Sequence, residues 1–75
     1  MKRTHKEVKH SILKVLSDSK DHAYGDIERK ANTNWQTVRD HVEDLELVNA
    51  VTTTNDRIKI TKYGLELLKK LEQKN

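Results

Sequence analysis

The sequence predicts a mainly helical α+β fold with a three-helix core, a β-hairpin and a C-terminal fourth helix. Apolar residues recur at helical spacing in three segments before Asn49. Two short β-prone runs flank the Asn55-Asp56 pair, and the segment 61–64 (TKYG) precedes a leucine-rich stretch. A small basic chain in which a helix leads into a hairpin and another helix is typical of a module that contacts a polyanion, and DNA is the favoured partner.

Length and composition bound the possible classes of protein. The chain has 75 residues, which we expect to form a single domain, 1–75, with residues 1–4 as a basic N-terminal arm. It has no cysteine, which excludes a disulfide framework, a thiolate zinc site and a thiol nucleophile. No apolar run approaches the roughly 20 residues that span a bilayer. We therefore expect a cytoplasmic protein without a membrane partner.

Charge is distributed unevenly along the chain. The formal net charge is +3, but residues 1–17 carry +4 and residues 49–64 carry +2. Residues 32–48 carry −3, because this segment contains one arginine and four acidic residues. Any contact with a nucleic acid should therefore depend on the amino-terminal segment and the hairpin for its electrostatic attraction.

Two helices are predicted in the first third of the chain. Thr4 and Glu7 are spaced for a capping box, so helix 1 should begin there. Its buried stripe should consist of Val8, Ile12, Val15 and Leu16. Leu13 lies well off this stripe. The polar run 17–21 should end the helix, and a short second helix should follow over residues 24–31.

Helix 3 is predicted from about residue 34 to residue 48. Its apolar face consists of Trp35, Val38, Val42 and Leu45, which we expect to be buried. Thr33, paired with Gln36 in a capping box, and Asn34 are alternative N-caps. Asn49 stands where a helix ends in a left-handed residue. The turn before helix 3 is so short that helices 2 and 3 must cross steeply, as in a helix-turn-helix.

A tight hairpin is predicted over residues 51–60, because Asn55 and Asp56 both tolerate positive φ. Alternation along the second strand turns Ile58 and Ile60 inward. Arg57 and Lys59 face outward and give the strand a basic side. Thr61 can cap the last helix, in which Leu65 and Leu68 suit the core.

Three segments together carry a resemblance to a known family. They are residues 26–31 (DIERKA) before the turn, 37–45 (TVRDHVEDL) in the recognition-helix position, and 57–68 (RIKITKYGLELL) across the second strand and final helix. With these segments the chain resembles the small archaeal and bacterial winged-helix proteins related to the MarR and ArsR repressors. The T-x-x-G motif before a leucine-rich helix is the most specific part. The resemblance implies a winged helix-turn-helix fold.

The same resemblance implies sequence-directed binding of double-stranded DNA by a homodimer, with helix 3 in the major groove and the wing near the backbone. The base-facing positions carried over are Asn34, Gln36, Thr37, Arg39 and Asp40. Gln36 suits adenine and Arg39 suits guanine. Phosphate contacts are expected from Arg57 and Lys59 in the wing and from Lys2, Arg3 and Lys6 near the amino terminus. His41 is expected either to contact phosphate or to pack.

Several of these residues also have plain structural roles. Trp35 can stack on DNA, although its place on the apolar face favours packing. Arg57 and Lys59 can protect an exposed edge strand, and Arg39 can pair with Glu43 along the helix. The acidic far half of helix 3 leaves open a second function, a winged-helix module that docks a basic protein partner.

The dimer seam is expected at Leu13, Leu67 and Leu71, unless these leucines belong to the core. No nucleophile motif or glycine-rich phosphate loop is present, so we expect no enzymatic activity. The histidines lack the spacing of a helical metal pair, and we expect no metal, cofactor or small-molecule ligand. Transcriptional regulation or a small architectural role is the predicted function.

Overall fold

A computed structural model describes residues 4–73. The elements in chain order are α1 (His5–Leu16), β1 (His22–Ala23), α2 (Tyr24–Lys30), α3 (Trp35–Leu47), β2 (Val51–Thr54), β3 (Arg57–Ile60) and α4 (Lys62–Gln73). The three strands form one antiparallel sheet in the order β1-β3-β2. The predicted mainly helical α+β fold is confirmed. The strand β1 was not predicted, because a two-residue strand offers no alternation to detect.

Local capping signals set the helix boundaries. The Thr4–Glu7 capping box is confirmed, with both of its hydrogen bonds present. At α3 the N-cap is Asn34, whose side chain accepts from the Thr37 amide at 2.8 Å, so the alternative box built on Thr33 is wrong. Asn49 has a φ of 63°, which confirms the left-handed helix end.

The hairpin turn has the predicted geometry. Asn55 and Asp56 have φ values of 51° and 64°, as a two-residue type I′ turn requires. Thr54 pairs with Arg57 beside this turn, and Val51 pairs with Ile60 at the far end of the ladder. Ile58 and Ile60 are therefore buried while Arg57 and Lys59 are exposed, as predicted.

The T-x-x-G motif joins the end of the sheet to α4. The Thr61 hydroxyl donates to the Asn49 carbonyl at 2.6 Å and accepts from the Gly64 amide at 3.1 Å. The Thr61 amide donates to the Ala50 carbonyl at 2.9 Å. A Cβ atom on Gly64 would collide with that same carbonyl oxygen and with the side chain of Ile60. Glycine is required here because the start of α4 lies directly against the backbone that leaves α3.

The helices enclose one apolar core together with the inner face of the sheet. Its buried side chains are Ile12, Leu13, Leu16, Ile27, Ala31, Val38, Val42, Leu45, Ala50, Val51, Ile58, Ile60 and Leu68. Leu13 is fully buried, so its prediction as a dimer contact is wrong. The reason is that α1 contacts α2, β3 and α4, which together cover a wider face than one helical stripe.

Trp35 is a second correction, because its side chain is 44% exposed. It shares a face with Val38 and Val42, which are buried as predicted. Trp35 is the first residue of α3, however, and the buried part of this helix begins only at Val38. Its ring lies beside that of Tyr24, with the ring centroids 6.3 Å apart.

A buried histidine ties β1 to the elements around it. The His22 atom Nδ1 lies 2.5 Å from Asp26 Oδ2, and Nε2 lies 3.0 Å from Asp18 Oδ1. The hydrogen bonds to these carboxylates, to Asp18 first and then to Asp26, raise the pKa of His22. The histidine is held between two carboxylates, and it joins the loop after α1 to the first turn of α2.

Candidate nucleic-acid interface

The amino-terminal half of α3 presents polar side chains to solvent. Asn34 caps the helix, and Gln36, Arg39 and Asp40 are exposed on its outer face, while Thr37 is half-buried. Because Val38 and Val42 fix the opposite face in the core, these side chains project from a rigid support. A helix held in this way has the shape that enters a major groove.

Arg39 lies between an aromatic ring and a carboxylate. Its guanidinium carbon is 5.2 Å from the centre of the Trp35 ring, a cation–π arrangement. Its Nε atom lies 3.5 Å from Glu43 Oε2, which confirms that the i, i+4 pair forms. Trp35 and Glu43 therefore restrict the positions that the Arg39 side chain adopts before any partner arrives.

Gln36 and Asp40 are hydrogen-bonded to each other. The Gln36 amide nitrogen Nε2 donates to Asp40 Oδ1 at 3.0 Å. A bidentate contact from Gln36 to adenine requires that amide as a donor, so this contact must compete with Asp40. Asp40 remains able to accept from a cytosine amine.

His41 does not lie on this surface, and its expected phosphate contact is wrong. Its side chain is 2% exposed, and its ring centroid is 4.2 Å from that of His5 on α1. Burial lowers the pKa of His41, with smaller effects from the charges of His5 and Lys9. The buried alternative, in which His41 packs, is the correct one, because α1 covers this side of α3.

The basic wing residues lie on the outer face of the sheet. Lys59 is paired across the strands with Thr52, and Arg57 with Thr54. A shallow groove on this face is lined by Ser19, Lys20, Asp21, Thr52, Thr54, Asn55, Arg57 and Lys59. Arg57 Nε donates to Asp21 Oδ2 at 3.3 Å, so one of the cations already has an acidic partner. Lys20 was not predicted as part of this group, because it is distant from the hairpin in sequence.

Acidic side chains of α3 and of the hairpin turn act on Tyr24. Burial raises the pKa of Tyr24, and the charges of Glu46, Asp56 and Glu43 add to the effect, while Arg39 opposes it. Carboxylates of the helix and of the hairpin turn are therefore near enough to Tyr24 for their charges to act on it. The structure does not bring the basic wing residues together with the exposed polar residues of α3, since Arg57 and Lys59 face the opposite side of the sheet.

The remaining predicted positions are dispersed. Lys6 is exposed on α1, and Lys2 and Arg3 lie outside the described residues. Leu67 and Leu71 are half-buried and pack against the core. Among residues 4–73, no group of three or more possible metal ligands is found. No helix in this part of the chain is long and apolar enough to cross a bilayer.

Sequence reasoning missed three exposed apolar residues at the opposite end of α3. They are Leu47, Val48 and Tyr63. A signal for Leu47 was available, because on a helical wheel it lies almost opposite the face that contains Val38 and Val42. An apolar residue on the polar side of an amphipathic helix is a candidate for a surface contact.

Comparison with known proteins places this arrangement in a family. A family model described as winged helix-turn-helix matches residues 2–75. A MarR family protein of Mycobacterium tuberculosis has a similar structure, with a TM-score of 0.76 and 25% sequence identity over 87% of this chain and 50% of that one. Ligand-free NadR has a TM-score of 0.72 and 17% identity over 93% of this chain and 52% of its own.

This chain spans about half the length of either solved protein. No curated protein is similar enough in sequence to count as a match. The family model covers nearly the whole chain, and the order of helices and strands agrees with it. The chain therefore belongs to the winged helix-turn-helix family, and its fold is that of the MarR-like proteins.

Proposed function

We propose that this protein binds double-stranded DNA in a sequence-directed manner, as a transcriptional regulator or a small architectural protein. Family membership supports a DNA-binding regulator in general. The observation that carries the finer proposal is the capped amino-terminal half of α3, with Gln36, Arg39 and Asp40 exposed on a helix anchored by its other face.

In the proposed complex this half of α3 lies in the major groove. Arg39 reads guanine, and its contacts with Trp35 and Glu43 lower the entropy cost of ordering its long side chain. Gln36 reads adenine after its amide leaves Asp40. Because Trp35 is exposed beside Arg39, it is placed to contact a sugar or a thymine methyl group.

Contacts with the phosphate backbone come from cations outside the acidic part of α3. Arg57, Lys59 and Lys20 supply them from the sheet side, and Lys6 supplies another from α1. Lys2 and Arg3 extend the same positive segment in sequence. Binding that depends on these contacts releases counterions and must weaken as the salt concentration rises.

A second candidate function rests on the carboxylates of α3. Asp40, Glu43, Asp44 and Glu46 are all exposed, and Asp56 extends the acidic surface to the wing. A basic protein segment is attracted to such a surface, whereas DNA is repelled from it. The winged helix-turn-helix family alone does not decide between the two partners, because a fold does not fix a function.

A salt-dependent binding titration separates the two functions. Fluorescence anisotropy with a random-sequence duplex, at two salt concentrations, should show binding that weakens with salt. The variant Lys59→Ala should weaken binding to all duplexes and lower the salt slope by about one. Lys69→Ala, an exposed lysine on α4 that belongs to none of these surfaces, is the matched control. No binding at low salt would favour the protein-docking function.

A further inference from the structure

His22 has a carboxylate at each of its two ring nitrogens. Its Nδ1 atom lies 2.5 Å from Asp26 Oδ2, and its Nε2 atom lies 3.0 and 3.1 Å from the two oxygens of Asp18. An ionised carboxylate only accepts hydrogen bonds, so both nitrogens must donate and the ring must carry a positive charge. The side chain is 8% exposed, and water therefore has little access to replace either partner.

Loss of one proton removes one of these two contacts. A neutral imidazole has a single N–H group, and the lone pair on its other nitrogen repels a carboxylate. Asp26 is the better restrained acceptor, because it lies in the first turn of α2 with Lys30 at 3.6 Å and Arg29 at 3.8 Å. Asp18 lies in the exposed loop after α1, and its ion-pair partner within residues 4–73 is His22. The contact with Asp18 is therefore the one that neutral His22 loses.

Asp18 also holds one side of the shallow groove on the outer face of the sheet, which we call the basic groove. The cations that line this groove are Lys20, Arg57 and Lys59. The backbone amide of Lys20 donates to Asp18 Oδ1 at 2.9 Å, and the same oxygen accepts from His22 Nε2. A chain of contacts thus leads from the buried ring through Asp18 to a lysine at the edge of the groove.

The other charged groups around His22 are held independently of its ring. The strand β1 is paired with β3 through the backbone, so its place in the sheet does not depend on a proton of the ring. Asp21 directly precedes β1 and is paired with Arg57 of β3 at 3.3 Å. Lys20 is exposed and is held by the hydrogen bond from its amide to Asp18. A change at Asp18 therefore moves Lys20 more than Asp21 or Arg57.

We propose that His22 is a positioning residue for the basic groove: its doubly protonated ring holds Asp18, and through Asp18 it holds Lys20 beside the cations of the wing. When the ring loses a proton, Asp18 leaves and Lys20 moves away from the groove. The pKa of His22 is raised above its ordinary value of 6.5, so the contact is present below pH 6.5 and is lost as the pH rises through the raised value. A contact of Lys20 with phosphate rests on the proposed function, whereas the change in the loop does not.

An NMR titration of the whole chain from about pH 5 to pH 9 is the first test. The ring resonances of His22 and the amide resonance of Lys20 should shift with one common midpoint, which lies above pH 6.5. His22→Gln should abolish this shift of the Lys20 amide. His10→Gln is the matched control, because His10 contacts Glu72 of α4, and it should leave the shift unchanged. A Lys20 amide that does not follow the midpoint of His22 would overturn the proposal.

Asp18→Asn distinguishes pH-dependent positioning from a merely structural contact. An asparagine side chain can accept from the protonated ring and donate to the neutral ring, so it suits His22 in both states. The protein should remain folded, as thermal unfolding would show, while the pH response of the Lys20 amide disappears. A response as large as that of the wild type would remove Asp18 from the proposed chain of contacts.

The salt dependence of duplex binding tests the effect on the groove. Loss of one phosphate contact should lower the slope of log affinity against log salt concentration by about one. The wild type should show this loss when the pH is raised from about one unit below the midpoint of His22 to about one unit above it. Lys20→Ala should have the lower slope at both pH values, and Asp18→Asn the higher slope at both. Lys69→Ala should respond as the wild type does.

The two measurements distinguish failure of this proposal from failure of the proposed function. If the loop responds to pH but the slope of the wild type does not change, the effect on the groove is refuted. If the loop does not respond, the positioning role of His22 is refuted whatever the slope does. A loop that responds as expected in a protein that binds no duplex would instead refute the DNA-binding function and support the control of the loop by His22.

Discussion

The two ends of α3 differ in chemistry although they belong to one helix. The amino-terminal half exposes Gln36, Arg39 and Asp40, and it begins at the Asn34 cap. The carboxyl end exposes Leu47, next to other apolar residues. The buried face extends from Val38 to Leu45 between these two ends, so the difference between them lies among the exposed side chains. One helix anchored once in the core thus presents two chemically different surfaces to solvent, a polar one near its amino terminus and an apolar one at its carboxyl end.

The largest expected effect is on the free energy of unfolding, and it distinguishes the core residue Leu13 from Leu47, which is exposed at the carboxyl end of α3. Leu13→Ala should lower the free energy of unfolding by about 2–5 kcal/mol, because it leaves a cavity in the core. Leu47→Ala should change it by less than about 0.5 kcal/mol at concentrations where the chain is monomeric. Urea denaturation measures both. Equal effects on the free energy of unfolding would contradict the assignment of Leu13 to the core and Leu47 to the surface.

Gly64→Ala should destabilise the junction between the start of α4 and the backbone that leaves the carboxyl end of α3. The added methyl group collides with the Ala50 carbonyl, so the free energy of unfolding should fall by about 1–3 kcal/mol. Gly25→Ala is the matched control, because a Cβ atom there meets nothing within 4 Å. It should be neutral or stabilise the protein by up to about 1 kcal/mol. The same urea series measures both variants, and a neutral Gly64→Ala would refute the close approach.

Arg39→Ala tests the amino-terminal half. It should reduce discrimination at one base pair by about 1–3 kcal/mol and leave stability nearly unchanged. Selection of bound duplexes from a random pool, followed by anisotropy, measures the preference. Leu47→Ala should alter no base preference within a half-site. Retention of the wild-type preference by Arg39→Ala would remove this arginine from the recognition surface.

The smallest expected effects are on the pH dependence of stability. His41 and His22 should change stability with pH in opposite directions. His41 lies between the two ends of α3, and its pKa is lowered, chiefly by burial. Its contribution to stability is lost as the pH falls below the ordinary value of 6.5. The pKa of His22 is raised, so its contribution is fully present below 6.5 and is lost as the pH rises through the raised value.

Variants separate these two contributions. His41→Leu should retain only the His22 effect, so that stability rises as the pH falls from about 8 to 6. His22→Gln should retain the His41 effect, so that stability falls on acidification below about 6.5. Urea denaturation across this range measures both slopes. Identical pH profiles for the two variants would contradict the assigned directions.

Several parts of the fold were predictable because their signals are local. The Thr4–Glu7 box, the left-handed Asn49 and the Asn55-Asp56 turn depend on neighbouring residues, and all three form as expected. The inward side of β3 followed from alternation along one strand. The prediction for the N-cap of α3 was ambiguous between Thr33 and Asn34, because both side chains are suitable and adjacent.

The failures concern surfaces formed by several elements. Leu13 and Trp35 were misjudged, and His41 was left undecided, because a helical wheel gives the direction of a side chain but not the width or length of the face that its neighbours cover. For the candidate site, the exposed polar residues of α3 were predictable from that direction. The separation of Arg57 and Lys59 from them was not, because it depends on how the sheet packs.

The sequence by itself determined the order of the helices, most of their ends, the hairpin turn and the resemblance to the family, since caps, turns and periodicity act within a few residues. Tertiary structure decided which side chains are covered, because burial depends on elements that are distant in sequence. It placed Leu13 in the core, exposed Trp35 beside Arg39 and brought Leu47 close to Tyr63 at the junction of α3 and α4. The physical reason is that a side chain becomes buried only when other helices and strands pack over it, and no single element contains that information.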